Sequence, residues 1–213
     1  MLLTTLLSLM LAAPAPPQHV SFETADGAHI VADLYGSGAD GVVLAHGAVF
    51  NKESWATVAQ ALVAGGHRVL AIDFRGYGAS TPGREPRAYD QDVLAAVRYL
   101  HAHGATRVDV VGASMGGGAS ARAAAEARPG EIDHLFLLSP VPVPHPEAMH
   151  ARRIMYVASR DEQLAPAVQA QFARAPEPKQ IELLDGNAHA QNIFATPQGP
   201  KLLALIEDFL AVR

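Results

Sequence analysis

From residue 41 onward the chain alternates two hydrophobic patterns. Short continuous apolar runs are separated by stretches in which apolar residues return every three or four positions. GVVLAH (41–46), HRVLAIDF (67–74), RVDVVG (107–112), HLFLLS (134–139), RIMYVAS (153–159) and KQIELL (179–184) are of the first kind and predict strands buried on both faces. KESWATVAQALVAGG (52–66) is of the second kind, as is residues 86–103, where Tyr89, Val93, Val97 and Leu100 fall on one helical face. An alanine-rich segment running to about Arg128, residues 165–174 and the stretch from about Gly199 complete the predicted helices. Strand and helix in turn imply a parallel sheet covered on both faces, a three-layer α/β/α sandwich. Before it, HVSFETADGAHIVADLYG (19–36) reads as two strands joined by a two-residue turn at Asp26-Gly27, an antiparallel hairpin at the sheet edge. PVPVPHPEAMHA (140–151) breaks the alternation; its prolines cannot donate to a sheet and predict an exposed loop.

At 213 residues the chain suits one domain over residues 18–213, without internal repeats. Residues 1–17 read as an export signal and a proline-rich spacer, because the apolar run is the length of a signal-peptide core and too short to span a bilayer. Export to a periplasm or the medium is the expectation if the signal is cleaved, with no stable membrane span after processing; a membrane-anchored or cytoplasmic protein is the alternative. Sixteen basic against 21 acidic residues give a net charge of −5 and leave no basic cluster to follow a phosphate backbone, so nucleic acid is not an expected partner. Cysteine is absent, which removes disulfides, a thiolate nucleophile and thiolate-bound zinc. His101 and His103 lack carboxylates at ligand spacing, and neither a metal nor another cofactor is expected.

The chemistry therefore rests on other side chains, and VDVVGASMGGGASARAAAE (109–127) offers a candidate. Gly112-Ala113-Ser114-Met115-Gly116 fits the nucleophile-elbow pattern G-x-S-x-G between a predicted strand and a predicted helix. Glycine two residues to either side of the serine removes the Cβ atoms that would block so sharp a turn. The turn presents Ser114 at a strand end, and the backbone N–H of Met115 at the following helix start can donate to a developing oxyanion.

A serine hydroxyl needs a base, and the base needs a carboxylate. Asp161 follows one predicted strand and His189 the next, in the order Ser, Asp, His; Glu162 is an alternative acid beside Asp161. Asp185 is read as a turn residue, and His101, His103, His134, His145 and His150 as solvated or capping groups. The second oxyanion donor should follow strand 41–46, where Gly47 permits close approach; the N–H of Ala48 is the choice and Val49 the alternative.

Taken together, these pieces resemble the α/β-hydrolase superfamily from about residue 20 to the C-terminus. HGA (46–48) looks like its oxyanion loop, DFRGYGAS (73–80) like its D-x-R-G-x-G-x-S turn, and RD (160–161) and NAH (187–189) match its acid and base positions. Only the proline-rich loop stands where many members insert a cap domain. The resemblance thus implies a compact, capless serine hydrolase similar to small esterases and dienelactone-hydrolase-like proteins, with Ser114 where a dienelactone hydrolase proper has cysteine. Its expected partner is a small-molecule acyl substrate, with Phe50, Trp55, Tyr77 and residues 140–146 available to line an acyl pocket. A thioesterase, a monoacylglycerol-type lipase, a peptidase and a non-catalytic binding scaffold are the alternatives on the same fold.

Overall fold

The structure is a computed structural model and describes residues 15–212; of the export signal and spacer read over residues 1–17, residues 1–14 lie outside the described residues. Eight strands form one sheet in the order β1-β2-β4-β3-β5-β6-β7-β8. They are β1 (Gln18–Glu23), β2 (His29–Tyr35), β3 (Asp40–Ala45), β4 (Arg68–Ile72), β5 (Arg107–Ala113), β6 (Ile132–Leu138), β7 (Ala151–Ser159) and β8 (Lys179–Leu184). β1 pairs antiparallel with β2 and β2 antiparallel with β4, and every later pairing is parallel. The helices are α1 (Ala56–Ala64), α2 (Tyr89–Ala102), α3 (Met115–Glu126), α4 (Ala165–Arg174) and α5 (Gly199–Ala211). None of the helices among the described residues is long and apolar enough to cross a membrane.

The continuous apolar strands divide their side chains between two cores, because successive residues point to opposite faces. Val43, Ala45 and Val110 pack with α2, α3 and α4 on one face, while Val42, Leu44 and Val111 pack with α1 and α5 on the other. The three-layer α/β/α arrangement follows.

Three local expectations change. Glu23 pairs with His29 and the N–H of Thr24 donates to Ala28, so the hairpin closes over Ala25-Asp26-Gly27, a three-residue loop in place of two. Gly27, at φ +86°, takes the left-handed position that such a loop requires. The run from Lys52 begins as a 3₁₀ turn, Lys52–Trp55, and becomes α-helical only at Ala56. The proline-rich segment is a loop with Pro142, Pro144, His145, Glu147 and His150 exposed as expected, but it is pinned at intervals: Val143, Pro146 and Met149 are buried, and Gln171 of α4 accepts from the Val143 N–H at 3.1 Å. Prolines removed its donors without removing its apolar surface, and that surface went inward.

Candidate active site

Ser114 stands between β5 and α3 with φ +52° and ψ −112°, a backbone conformation that side chains rarely adopt and that costs on the order of 1–3 kcal/mol. Its surroundings hold it there. The Ser114 N–H donates to Leu138 O at 2.9 Å, and its carbonyl accepts from Gly118 and Val141. Both elbow glycines are required for space: a Cβ on Gly112 would lie 2.4 Å from Ser120 Oγ, and one on Gly116 would lie 2.3 Å from Ala45 O. The small residues that lower the helix propensity of MGGGASARAAAE are thus the ones that let α3 approach the sheet.

β8 ends at Leu184, and the chain returns to place His189 over the elbow. Nε2 of His189 lies 2.8 Å from Ser114 Oγ, while Nδ1 faces a carboxylate oxygen of Glu162. A carboxylate oxygen accepts, so Nδ1 carries the proton and Nε2 presents a lone pair to the serine hydroxyl. Ser114 and His189, expected from the sequence to meet, are brought together. Their third partner is Glu162, and Asp161 is corrected: its side chain is exposed, with no bond to His189. The cause is local. The N–H groups of Arg160 and Asp161 extend the β7–β8 ladder onto Leu184 and Gly186, which leaves Asp161 facing outward. The turn then brings Glu162 inward until its side chain is 1% exposed. Adjacent acids carry no sequence signal for which of them faces in.

Two serines complete the support and had no distinguishing signal in the sequence. Ser139, at the end of β6 with φ +44°, donates to Glu162 Oε1 at 2.5 Å and accepts from the Ala190 N–H at 3.2 Å. Ser159, at the end of β7, donates its hydroxyl to Ala188 O at 2.6 Å, and its N–H donates to Glu162 Oε1 at 3.1 Å. A buried carboxylate is costly unless its oxygens are satisfied, and Glu162 has three donors.

The loop after β3 lies against the elbow, the Cβ direction of Gly47 pointing to Ser114 Cβ at 3.4 Å. Buried His46 donates from Nδ1 to Gly47 O at 2.8 Å and accepts the Phe74 N–H at Nε2; burial lowers its pKa, which keeps the ring neutral as both bonds require. Among the described residues the N–H groups of Ala48 and Met115 have no hydrogen-bond acceptor. They are free to receive one.

DFRGYGAS closes the neighbouring turn. Asp73 accepts from the Lys52 N–H, and Ser80 ties Asp73 O to the Val31 N–H. Fully buried Arg75 bonds both Asp26 and Asp92. Burial opposes its charge, but the two carboxylates more than restore it, and Arg75 holds Asp26 well below the usual carboxylate range. Of the residues expected to line an acyl pocket, Trp55 is core, wholly buried against Phe194, while Phe50 and Tyr77 are half-buried; Val49, the alternative oxyanion donor, has its side chain 85% exposed. His134, expected to be solvated or capping, is fully buried at the opposite end of the sheet, with Asp109 and Asp133.

Comparison with known proteins agrees with this architecture. Residues 41–189 match the family model described as the alpha/beta hydrolase fold. A non-heme chloroperoxidase of Streptomyces lividans is 36% identical over 124 residues, covering 56% of this chain and 44% of the relative. Epoxide hydrolase B of Mycobacterium tuberculosis is 42% identical over 77 residues, 35% of this chain and 22% of that protein. The chain thus matches less than half the length of these curated relatives. A solved esterase from Pyrococcus furiosus superposes with a TM-score of 0.77 at 19% identity, covering 91% of each chain.

Proposed function

Because the chain belongs to the α/β-hydrolase fold family, we propose that it is a serine hydrolase of carboxylic esters with Ser114 as nucleophile, His189 as base and Glu162 as the acid partner. The observation that carries this is the 2.8 Å approach of His189 Nε2 to Ser114 Oγ, with Glu162 on the other ring nitrogen and the serine on a strained elbow. Many chemistries share the fold, so the ester assignment stands on this constellation, with the esterase likeness as support.

As Ser114 Oγ bonds to the ester carbonyl carbon, its proton passes to His189 Nε2 and the carbonyl π pair moves to oxygen. The N–H groups of Ala48 and Met115 stabilise that oxyanion. On collapse the C–O bond to the leaving alcohol breaks, and the alcohol departs with the proton from His189. Water repeats the sequence on the acyl-enzyme, yielding the acid and restoring Ser114. Glu162 holds the imidazole in the required tautomer and balances its transient positive charge. With Trp55 inside the core, the apolar surface left beside the serine consists of partly exposed side chains, which suits short acyl groups over long ones.

Ser114→Ala tests the assignment. Turnover of p-nitrophenyl acetate by the purified protein should fall about 10⁴–10⁶-fold, and fluorophosphonate labelling should disappear, with the circular dichroism spectrum unchanged. Turnover near that of the parent protein would remove Ser114 from the reaction.

A further inference from the structure

Gln191 lies two residues beyond His189 in the 3₁₀ turn Ala190–Ala195 and is buried. The reaction outlined above gives it no task, yet its amide bridges two loops far apart in sequence. Its Oε1 accepts the Gly47 N–H at 2.8 Å, and its Nε2 donates to Ser54 Oγ at 2.8 Å. Only this orientation of the amide satisfies both bonds, since the Gly47 N–H can only donate. The carbonyl of Gly47 is fixed as well, accepting from His46 Nδ1 at 2.8 Å and from the Phe50 N–H at 3.0 Å.

The Gly47 N–H belongs to the His46–Gly47 peptide plane and the Gly47 carbonyl to the Gly47–Ala48 plane, so with both groups engaged the two planes that flank Gly47 are each anchored, the first by Gln191 and the second by His46 and Phe50. In a trans peptide the N–H points opposite to the C=O, so anchoring the Gly47 carbonyl fixes the direction of the Ala48 N–H. Gly47 touches the elbow, its Cβ direction 3.4 Å from Ser114 Cβ and 3.5 Å from Gln191 Oε1. The same turn that carries the base therefore also clamps the loop that carries the candidate oxyanion donor.

We propose that Gln191 is a positioning residue for the oxyanion hole, its amide oxygen holding Gly47 so that the Ala48 N–H stays aimed at the carbonyl oxygen of an ester bound at Ser114. The inference rests on the serine-hydrolase reading. A donor aimed in advance acts on charge that exists only in the transition state, so its loss lowers kcat and spares KM. It also weakens inhibitors that form an oxyanion on Ser114. Complete loss of one donor costs about 10²–10³-fold, and mis-aiming it should cost about 10–100-fold.

The experiment measures kcat, KM and the Ki of a trifluoromethyl ketone for the full-chain protein and three variants, with fluorophosphonate labelling as control. Gln191→Leu, close in shape but unable to accept, should lose kcat and inhibitor affinity by the same 10–100-fold while KM stays within about threefold. Gln191→Glu, which retains an acceptor for Gly47, should recover part of both losses. Ser54→Ala leaves the Gly47 bond intact and should stay within about threefold of the parent. A Gln191→Leu protein with parent kcat and Ki overturns the proposal, as does equal loss in the Leu and Glu variants. If Gln191→Leu does not fold, Gln191→Met, which likewise offers no amide acceptor to Gly47, takes its place and is judged by the same criterion. A parent protein that fails to label at Ser114 refutes the hydrolase reading itself, a result distinct from these.

Discussion

The two ends of the sheet hold almost the same side chains and put them to opposite uses. At the carboxyl end, a histidine and a buried carboxylate stand beside a serine; His189 is 38% exposed on its side chain, and its free nitrogen faces a hydroxyl. At the amino end, His134 on β6 and Asp109 on β5 are both fully buried, with Asp133 beside them. Asp109 Oδ1 is occupied by the backbone N–H of His134 at 3.0 Å, and the ring nitrogen Nδ1 has no hydrogen-bond partner among the described residues. Histidine and aspartate near each other are therefore no sign of catalysis. What differs is the neighbour: a hydroxyl on a strained turn with an open face above it, against guanidinium groups that close the cluster. Arg107 lies 3.3 Å from Asp109 and 3.5 Å from Asp133, and Arg152 lies 3.0 Å from Asp133. The positive charge that a metal ion would bring to Asp109, Asp133 and His134 is already supplied by the chain.

The largest effect that can break this comparison lies at the carboxyl end. Glu162→Gln should keep the fold but lower kcat about 10³–10⁴-fold, because an amide can donate to Nδ1 and so favours the wrong tautomer while stabilising the imidazolium less. Asp161→Asn should stay within about threefold of the parent, since that exposed side chain makes no bond to the histidine. Steady-state ester hydrolysis decides, and a reversal of the two results would return the acid role to Asp161.

At the amino end the corresponding experiment should move stability and leave catalysis alone. Arg107 reaches the Asp109 and Asp133 carboxylates and also donates to the carbonyls of Leu210 and Val212, fastening the end of α5. Arg107→Met leaves two carboxylates with less compensation and frees that helix end. Urea unfolding should show a loss of about 2–4 kcal/mol with kcat unchanged at 25 °C. A large fall in kcat at unchanged stability would mean that the two ends communicate.

The contrast also marks how far sequence carries. The three layers and the mostly parallel sheet with its antiparallel edge were legible because continuous apolar runs and helical spacing are set by burial, and burial dictates the architecture; the order of the strands across the sheet left no such mark. Ser114 and His189 were legible because a strained elbow needs glycine at fixed offsets and because each residue follows its own strand. Asp161 and Glu162 could not be separated, since adjacent carboxylates differ only in which way a turn of a few residues points them. Ser139, Ser159 and Gln191 act through bonds made across the fold, and a lone polar residue carries no periodic trace of its distant partner. His134 misled for the related reason that its type favours the surface while its position in β6 places it beneath α5, against Phe209. Local pattern records what a residue's own segment requires; tertiary partners leave no such mark.

The smallest predicted effect concerns pH, and it separates the two members of the amino-end pair. Burial raises Asp109 to about 7, and burial lowers His134 to about 4, with Arg107, Arg152 and Asp133 acting on one or both. In the unfolded chain the two groups titrate near 3.9 and 6.5. Between pH 4 and 6.5, folded Asp109 holds a proton that the unfolded chain has lost, so its contribution to stability falls as pH rises. Over the same range His134 is neutral when folded and protonated when unfolded, so its contribution rises. Each slope is at most about 1.4 kcal/mol per pH unit, and the two nearly cancel. Asp109→Asn removes the falling member and leaves the rising one. The gain in unfolding free energy between pH 4.5 and 6.5, measured by urea titration, should thus be larger in the variant than in the parent by about 1–2 kcal/mol. Equal gains in both proteins would mean that Asp109 is ionised throughout that window, held so by Arg107, and that the cluster is an ordinary ion pair instead of a neutral one.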